Sequence, residues 1–322
     1  MTQTTRTIAF VHALRDFEPE ARRQLEGHNL LFLKSREAMA ERIAELDVVV
    51  TGYMWDNGLI PQADRLAYLQ TVSSGTEAFD LPALKDKGIA VCNARGVNAT
   101  TTAEHGIGLM MAMSRQLHRA RDNQHAKRWQ MNRLDPAQSE ARTMMELHGK
   151  RLLQVGFGEI GQRVHAIASA FGMDVTVLSR TARPGATPAI KPYSAFTEEV
   201  AEADVILFCC PLSDETRHLL DAAALEKVKP SAFVVNIARG GVIDQDALIA
   251  ALQDGRLRGA ALDVTTPEPL PEDSPLWDMS QVLITPHNAG DTPAYEERIC
   301  RLVKDNLARL DRGETELINS VA

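Results

Sequence analysis

Apolar residues recur along this chain in short blocks, separated by polar stretches with a helical period. In the N-terminal third the blocks read IAFVH, NLLFL, DVVVTG, YLQTVSS and IAVCN, with PEARRQLEG and EAMAERIAEL among the stretches between them. Short β-rich runs alternating with amphipathic helices are the signature of parallel α/β layers. Residues 1–99 therefore predict a small doubly wound sheet. A long helix is expected from Thr101 to about Lys127. Past a long connection, Trp129 to Lys150, the blocks resume at LLQV, at Val175, Val177 and Leu178, and at DVILFC, AFVVNI, GAALDV and QVLITP. These predict a second, larger sheet in a domain over residues 100–287. From Pro293 to Arg312 the positions Ile299, Leu302, Val303, Leu307 and Leu310 trace one face of a helix. It follows the last strand of the second sheet, so residues 288–322 are expected to fold back onto the first domain. The chain would then cross between domains twice, with a substrate cleft between them.

The first chemical signal lies between a predicted strand and a predicted helix, in LLQVGFGEIGQRV. Gly156, Gly158 and Gly161 form the Gly-x-Gly-x-x-Gly turn of a dinucleotide-binding βαβ unit. The first glycine permits the tight turn, the second lets the backbone approach a pyrophosphate, and the third lets helix and strand pack closely. The helix beginning near Ile160 and running to Phe171, before Gly172, offers free N–H groups and a positive dipole end to phosphates. About 20 residues beyond the glycines, an NAD site normally carries Asp or Glu for the adenosine ribose. This chain has Ser179, Arg180 and Thr181, with Arg183 close behind. A guanidinium grips a 2′-phosphate through paired charge-assisted hydrogen bonds, and an acid would repel it. NADP(H) is the expected cofactor, with NAD(H) the alternative if Arg180 is only a solvated surface residue.

Composition narrows the partners. The 322 residues favour two domains, and 44% hydrophobic content supplies their cores. A net charge of −8 argues against a nucleic-acid partner. The stretch Arg119 to Arg133 mixes bases with acids and reads as a solvated helix face. The N-terminal apolar run is too short for a signal peptide and no stretch is long enough to span a bilayer, so no membrane partner and a cytoplasmic location are expected. Cys92, Cys209, Cys210 and Cys300 lack metal-ligand spacing, and no metal is expected. Cys209 and Cys210, inside VILFCCPL, read as small fillers of a buried strand.

Reactive side chains gather in three later segments. VVNIARGGVIDQDAL carries Arg239, ALDVTTPEPLPEDSPLW carries Asp263 and Glu268, and ITPHNAG carries His287. Each follows a predicted strand, and in parallel sheets residues just past the carboxyl ends of strands face the ligand crevice. Singly they read as a helix-capping Arg, a surface Glu and a partly exposed His. Beside a dinucleotide turn they suggest hydride transfer to a carbonyl.

The segments PLSDETRHLL, NIARGGVIDQDAL, GAALDVTTPEPLPEDSPLW and ITPHNAG, in this order and at this spacing, resemble the D-2-hydroxyacid dehydrogenase family. VSSGTEAFDL and NATTTAEHGIGLMMAMSR extend the likeness more weakly. The resemblance implies an α/β protein of two doubly wound parallel-sheet domains. One is a Rossmann cofactor domain; the other is a smaller flavodoxin-like substrate domain completed by the C-terminal helix. It also implies a homodimer built around the long helix that begins near Thr102. Arg239 would bind the substrate carboxylate and keto oxygen, and His287 would be general acid in reduction and base in reverse. Glu268 would hold the other imidazole nitrogen, Asp263 would meet the nicotinamide carboxamide, and backbone N–H groups around Ser74 and Gly75 would cradle the substrate carboxylate. Thr102, Glu159, Ile160, Pro211, Thr216 and Ala238 join the glycines and Ser179-Arg180-Thr181 as implied cofactor contacts. Many relatives carry Asp at the position of Ser179. Serine followed by arginine looks like the NADPH-dependent glyoxylate/hydroxypyruvate reductases, which implies a small 2-keto or 2-hydroxy acid as substrate.

Several positions depart from the family pattern. Thr265 and Thr266 stand where an aromatic is common, Asn288 where an apolar residue is frequent, and Glu77 where Asp is usual. In TGYMWDNG the bulky Tyr53, Met54 and Trp55 either restrict the substrate site, with Trp55 at its wall, or pack beneath their loop. Two rival functions remain on the sequence. One is a non-catalytic dinucleotide sensor, since some relatives are corepressors. The other is a formate or phosphite dehydrogenase of the same superfamily, although a formate enzyme typically has Gln where Glu268 stands.

Overall fold

The apolar blocks become strands, and the central ones are buried on both faces, as parallel sheets covered by helices require. The computed structural model describes residues 4–129, 144–183 and 185–321. It divides into two compact units, Met1–Asn98 with Thr292–Ala322, and Ala99–Asp291.

In the first unit β1 (Thr7–Val11), β2 (Asn29–Leu33), β3 (Val48–Thr51), β4 (Tyr68–Thr71) and β5 (Ala90–Cys92) form a sheet in the order β2-β1-β3-β4-β5. Every neighbouring pair is parallel. Helices α1 (Glu18–Gln24), α2 (Arg36–Ala40) and α3 (Leu81–Asp86) belong to the same unit, as does the C-terminal helix Tyr295–Asp311. That helix buries Ile299, Cys300, Val303 and Leu307 in one core with Ile8, Phe10, Val48 and Val50. Its fully buried Asn306 donates to the Tyr68 hydroxyl (2.9 Å) and the Ile318 carbonyl (3.2 Å), and accepts from the Ile318 N–H (2.7 Å).

The second unit opens with α4 (Ala99–Arg115) and α5 (Leu117–His125). The single helix predicted from Thr101 to Lys127 is thus two. Gln116 is buried at φ 53°, and the Ser114 carbonyl, which residue 118 would need to continue the ladder, accepts the Met145 N–H (2.8 Å) instead. Most of the connection after Trp129, whose length beyond the family pattern makes it a candidate lid or interface feature, lies outside the described residues. Then follow β6 (Arg151–Val155), α6 (Glu159–Ala170), β7 (Asp174–Leu178), β8 (Ile190–Lys191), α7 (Phe196–Glu199), β9 (Val205–Phe208), α8 (Ala222–Leu225), β10 (Phe233–Asn236), α9 (Gln245–Gln253), β11 (Gly259–Leu262) and β12 (Val282–Ile284). The sheet order is β12-β11-β10-β9-β6-β7-β8, all parallel. The order reverses at β6, which puts the topological switch point between β6 and β9, where open α/β sheets bind ligands. Among the described residues no helix is long and apolar enough to cross a membrane. Burial pushes the Cys92 and Cys210 thiols up to about 12, so both stay protonated core fillers.

Candidate active site

The glycine turn opens at this switch point, directly after β6. Gly156 has φ 114°, and a Cβ there would lie 2.7 Å from the Cys209 carbonyl carbon at the end of the adjacent β9. At Gly161 a Cβ would meet the Gly156 carbonyl oxygen at 2.4 Å, so only glycine lets α6 start this close to the strand. Gln154, fully buried, ties the two together by donating to both the Gly156 (2.8 Å) and Gly161 (2.9 Å) carbonyls. Gly158 differs: it is the N-cap of α6 and a Cβ there would meet nothing within 4 Å. The space beside the first N–H groups of α6, which have no partner inside the helix, is open, as a pyrophosphate requires. At the end of β7, Ser179 spends its N–H on the Lys191 carbonyl (3.0 Å), and Arg180 and Thr181 are exposed. Arg180 Nε lies 3.2 Å from Glu215 Oε2, a contact between two exposed side chains in which the carboxylate holds the guanidinium expected to face a 2′-phosphate.

Loops after the neighbouring strands β10, β11 and β12 carry Arg239, Glu268 and His287. Asn236, ending β10, shapes the first loop by donating to the Arg239 carbonyl (3.1 Å) and accepting the Ala238 N–H (3.0 Å). Arg239 itself is exposed, with Nη1 on the Ala238 carbonyl (2.8 Å). Gly240 is pressed against the second loop, since a Cβ there would lie 1.9 Å from the Thr265 carbonyl oxygen. In that second loop Glu268 uses both oxygens: Oε1 accepts the Thr265 N–H (3.1 Å), and Oε2 lies 2.6 Å from His287 Nδ1. His287 sits in the left-handed region at φ 51°, held by its N–H on the Asp263 (2.8 Å) and Thr285 (3.0 Å) carbonyls. A carboxylate on Nδ1 fixes the tautomer and ring orientation and leaves Nε2 free for a proton transfer.

Residues 107–289 match the NAD binding domain of the D-isomer specific 2-hydroxyacid dehydrogenases, more than half of the chain. The chain belongs to this family. As a D-2-hydroxyacid dehydrogenase it is an oxidoreductase built on a dinucleotide-binding sheet. It is 32% identical over 283 residues to a glyoxylate reductase of Pyrococcus furiosus, covering 87% of this chain and 83% of that protein. It is also 32% identical over 284 residues, 87% of its length, to a D-3-phosphoglycerate dehydrogenase of Methanocaldococcus jannaschii, of which it spans only 52%. Among solved structures, the D-lactate dehydrogenase of Aquifex aeolicus, in complex with NAD and lactic acid, superposes with a TM-score of 0.78 at 25% identity, with 98% of each chain covered.

The other residues singled out in this dehydrogenase divide between packing positions and exposed ones. Trp55 is a packing residue: it is 4% exposed, stacks on Phe79 (6.4 Å) and donates Nε1–H to Asn57 (2.9 Å), while Tyr53 is the exposed member of that loop. Thr216 is fully buried, and its hydroxyl braces the loop after β9 by donating to the Pro211 carbonyl (2.7 Å) and accepting the Ser213 N–H (2.8 Å), so it is not a free ligand for a cofactor. Thr102 and Ala238 are also buried. Asp263 is 2% exposed: Oδ1 accepts from Thr285 Oγ1 (2.6 Å) and Asn288 N–H (3.1 Å), and Oδ2 from Ala289 N–H (3.1 Å). A carboxylate has about four acceptor positions, so a nicotinamide carboxamide would find at most one remaining here. In the first unit Ser74 is exposed after β4, its carbonyl accepting from Asn93 (3.0 Å). Sequence reasoning missed the supporting residues Gln154, Asn236, Thr285 and His105. Each is a polar side chain in a helix, in a strand or just past one, and only its partners reveal its task.

Proposed function

We propose that this dehydrogenase transfers hydride between NADP(H) and a small 2-keto/2-hydroxy acid of the D series, of glyoxylate or hydroxypyruvate type. The observation that carries the reading is the His287–Glu268 pair, 2.6 Å apart at the carboxyl ends of neighbouring strands of a dinucleotide sheet. In reduction, His287 donates the Nε2 proton to the keto oxygen, and Glu268 on Nδ1 holds the ring in place for the transfer. Arg239 pairs with the substrate carboxylate and polarises the carbonyl, a planar guanidinium suiting both. In the first unit, backbone N–H groups at Ser74 and Gly75 are the groups that can bind a carboxylate. Gly156, Gly158, Gly161 and the start of α6 take the pyrophosphate, and Ser179, Arg180 and Thr181 the 2′-phosphate. The bound nicotinamide supplies the hydride. Glu268 speaks against formate as substrate, because formate oxidation needs no proton from the imidazole.

NADH use is the second reading, and one observation favours it: Glu215 already occupies Arg180. Initial rates with NADPH and NADH on glyoxylate, hydroxypyruvate, pyruvate and phenylpyruvate decide between them. NADPH preference with turnover of the small acids is the expected result. Turnover with NADH alone overturns the cofactor assignment, and NADPH binding without turnover on any keto acid overturns the enzyme reading. Loss of a hydrogen bond to a charged group corresponds to about tenfold or more, so Arg180→Ala should raise the KM for NADPH about tenfold and leave that for NADH within about twofold. Equal effects on both cofactors would refute the 2′-phosphate role.

A further inference from the structure

A chain of polar contacts leads from α4 to the turn that presents His287, and nothing in the proton-transfer scheme uses its first member. His105 lies on α4, one residue before Gly106, where a Cβ would come within 2.6 Å of Ile237, the residue after β10. The glycine brings α4 close to the carboxyl ends of the strands, and His105 Nε2 thereby reaches Thr285 Oγ1 at 3.0 Å. The Thr285 hydroxyl lies 2.6 Å from Asp263 Oδ1, and His105 Nε2 itself is 3.5 Å from that oxygen. A hydroxyl has one proton. Donated to the carboxylate, it leaves lone pairs on the threonine oxygen, so His105 Nε2 carries the hydrogen on this contact. Asp263 in turn takes the N–H groups of Asn288 and Ala289, and its carbonyl takes that of His287. His287 is left-handed, a conformation uncommon for a side-chain-bearing residue and held by its surroundings.

We propose that His105 is a positioning residue for His287. By donating Nε2–H to Thr285 it aims the threonine hydroxyl at Asp263, and the carboxylate so fixed clamps the turn that presents the imidazole. The inference rests on reading His287 as the proton donor. His105 touches neither the reacting imidazole nor Glu268 and works only through the turn. A small displacement of a catalytic group is enough to slow the chemical step while ground-state binding persists.

The experiment compares His105→Leu, His105→Gln and Thr285→Val with wild type, using NADPH and hydroxypyruvate. With His105→Leu, kcat should fall about tenfold while KM for the keto acid and the NADPH Kd stay within about twofold. His105→Gln keeps a donor and should recover most of kcat. Thr285→Val should match His105→Leu, and the double variant should be no worse than either single one. Amide hydrogen exchange at Asn288 and Ala289 should speed up about tenfold in His105→Leu and Thr285→Val, a readout that needs no turnover. Unchanged exchange at these amides, a loss of NADPH affinity matching the loss of kcat, or a His105→Gln as slow as His105→Leu would each overturn the proposal. If wild type is inactive on every keto acid, the functional reading fails, and exchange still decides the clamp. If His105→Leu does not fold, exchange in Thr285→Val decides alone.

Discussion

A methyl group added at Gly161 would lie 2.4 Å from the Gly156 carbonyl oxygen, whereas one added at Gly158 meets nothing beyond its chain neighbours within 4 Å. The two glycines of one motif therefore answer to different demands, packing and ligand access. Gly161→Ala should destabilise the second unit by about 1–3 kcal/mol through overpacking. Gly158→Ala should leave the melting temperature unchanged and raise the NADPH Kd about tenfold by filling the space for the pyrophosphate. Thermal melts and fluorescence titration of the two variants test this, and equal stability losses would refute it. A second residue-scale expectation concerns pH. Burial, then Arg15 and Lys34, lowers the pKa of His12, and burial, then Arg6, lowers that of His28. The unfolded chain, with histidines near about 6.5, therefore binds more protons as pH falls, and stability present above that value is lost on acidification. Denaturant midpoints should drop between about pH 7 and pH 5, and less so in His12→Asn, which keeps an acceptor for the Leu14 and Arg15 N–H groups. A pH-independent midpoint would contradict the assignment. Arg239, Glu268 and His287 were legible in the sequence as residues just past the ends of strands, because each follows an apolar run. Trp55 and Thr216 were not, because an aromatic or a hydroxyl reads the same whether it faces a ligand or packs beneath its own loop.

At the scale of elements, the long strands declared themselves through apolar runs. Two-residue β8, Ile190–Lys191, lacks the length for any periodicity. The break at Gln116 was hidden because its cause is remote: a backbone N–H from Met145 captures the carbonyl the helix needs. A helical pattern states what a segment favours alone, and such tertiary partners override it. The C-terminal helix shows the opposite case, since its apolar stripe was plain but its polar anchor was not. Asn306 satisfies Tyr68 and both backbone groups of Ile318. Asn306→Ala strands these groups in the core and should cost about 1–3 kcal/mol, read by urea unfolding. A loss of less than about 0.5 kcal/mol would mean that water replaces the amide.

For the whole molecule, the first unit is assembled from two stretches of chain and the second from one. A variant ending at residue 291 would remove Ile299, Cys300, Val303 and Leu307 from the core around Ile8 and Val50. Limited proteolysis of that variant should digest residues 1–98 and leave a resistant fragment corresponding to Ala99–Asp291. A first unit as resistant as in the full chain would show that the C-terminal helix is dispensable. The same arrangement sets an order of birth. On the ribosome the β1–β5 strands emerge first, yet the helix that covers Ile8 and Val50 is translated after every strand of the second sheet. Domains fold as units during synthesis, usually the N-terminal one first; here the middle of the chain is complete while the beginning still waits with an uncovered apolar face. In the nascent chain the stretch that forms the second unit is therefore complete before the helix that covers Ile8 and Val50 has been made.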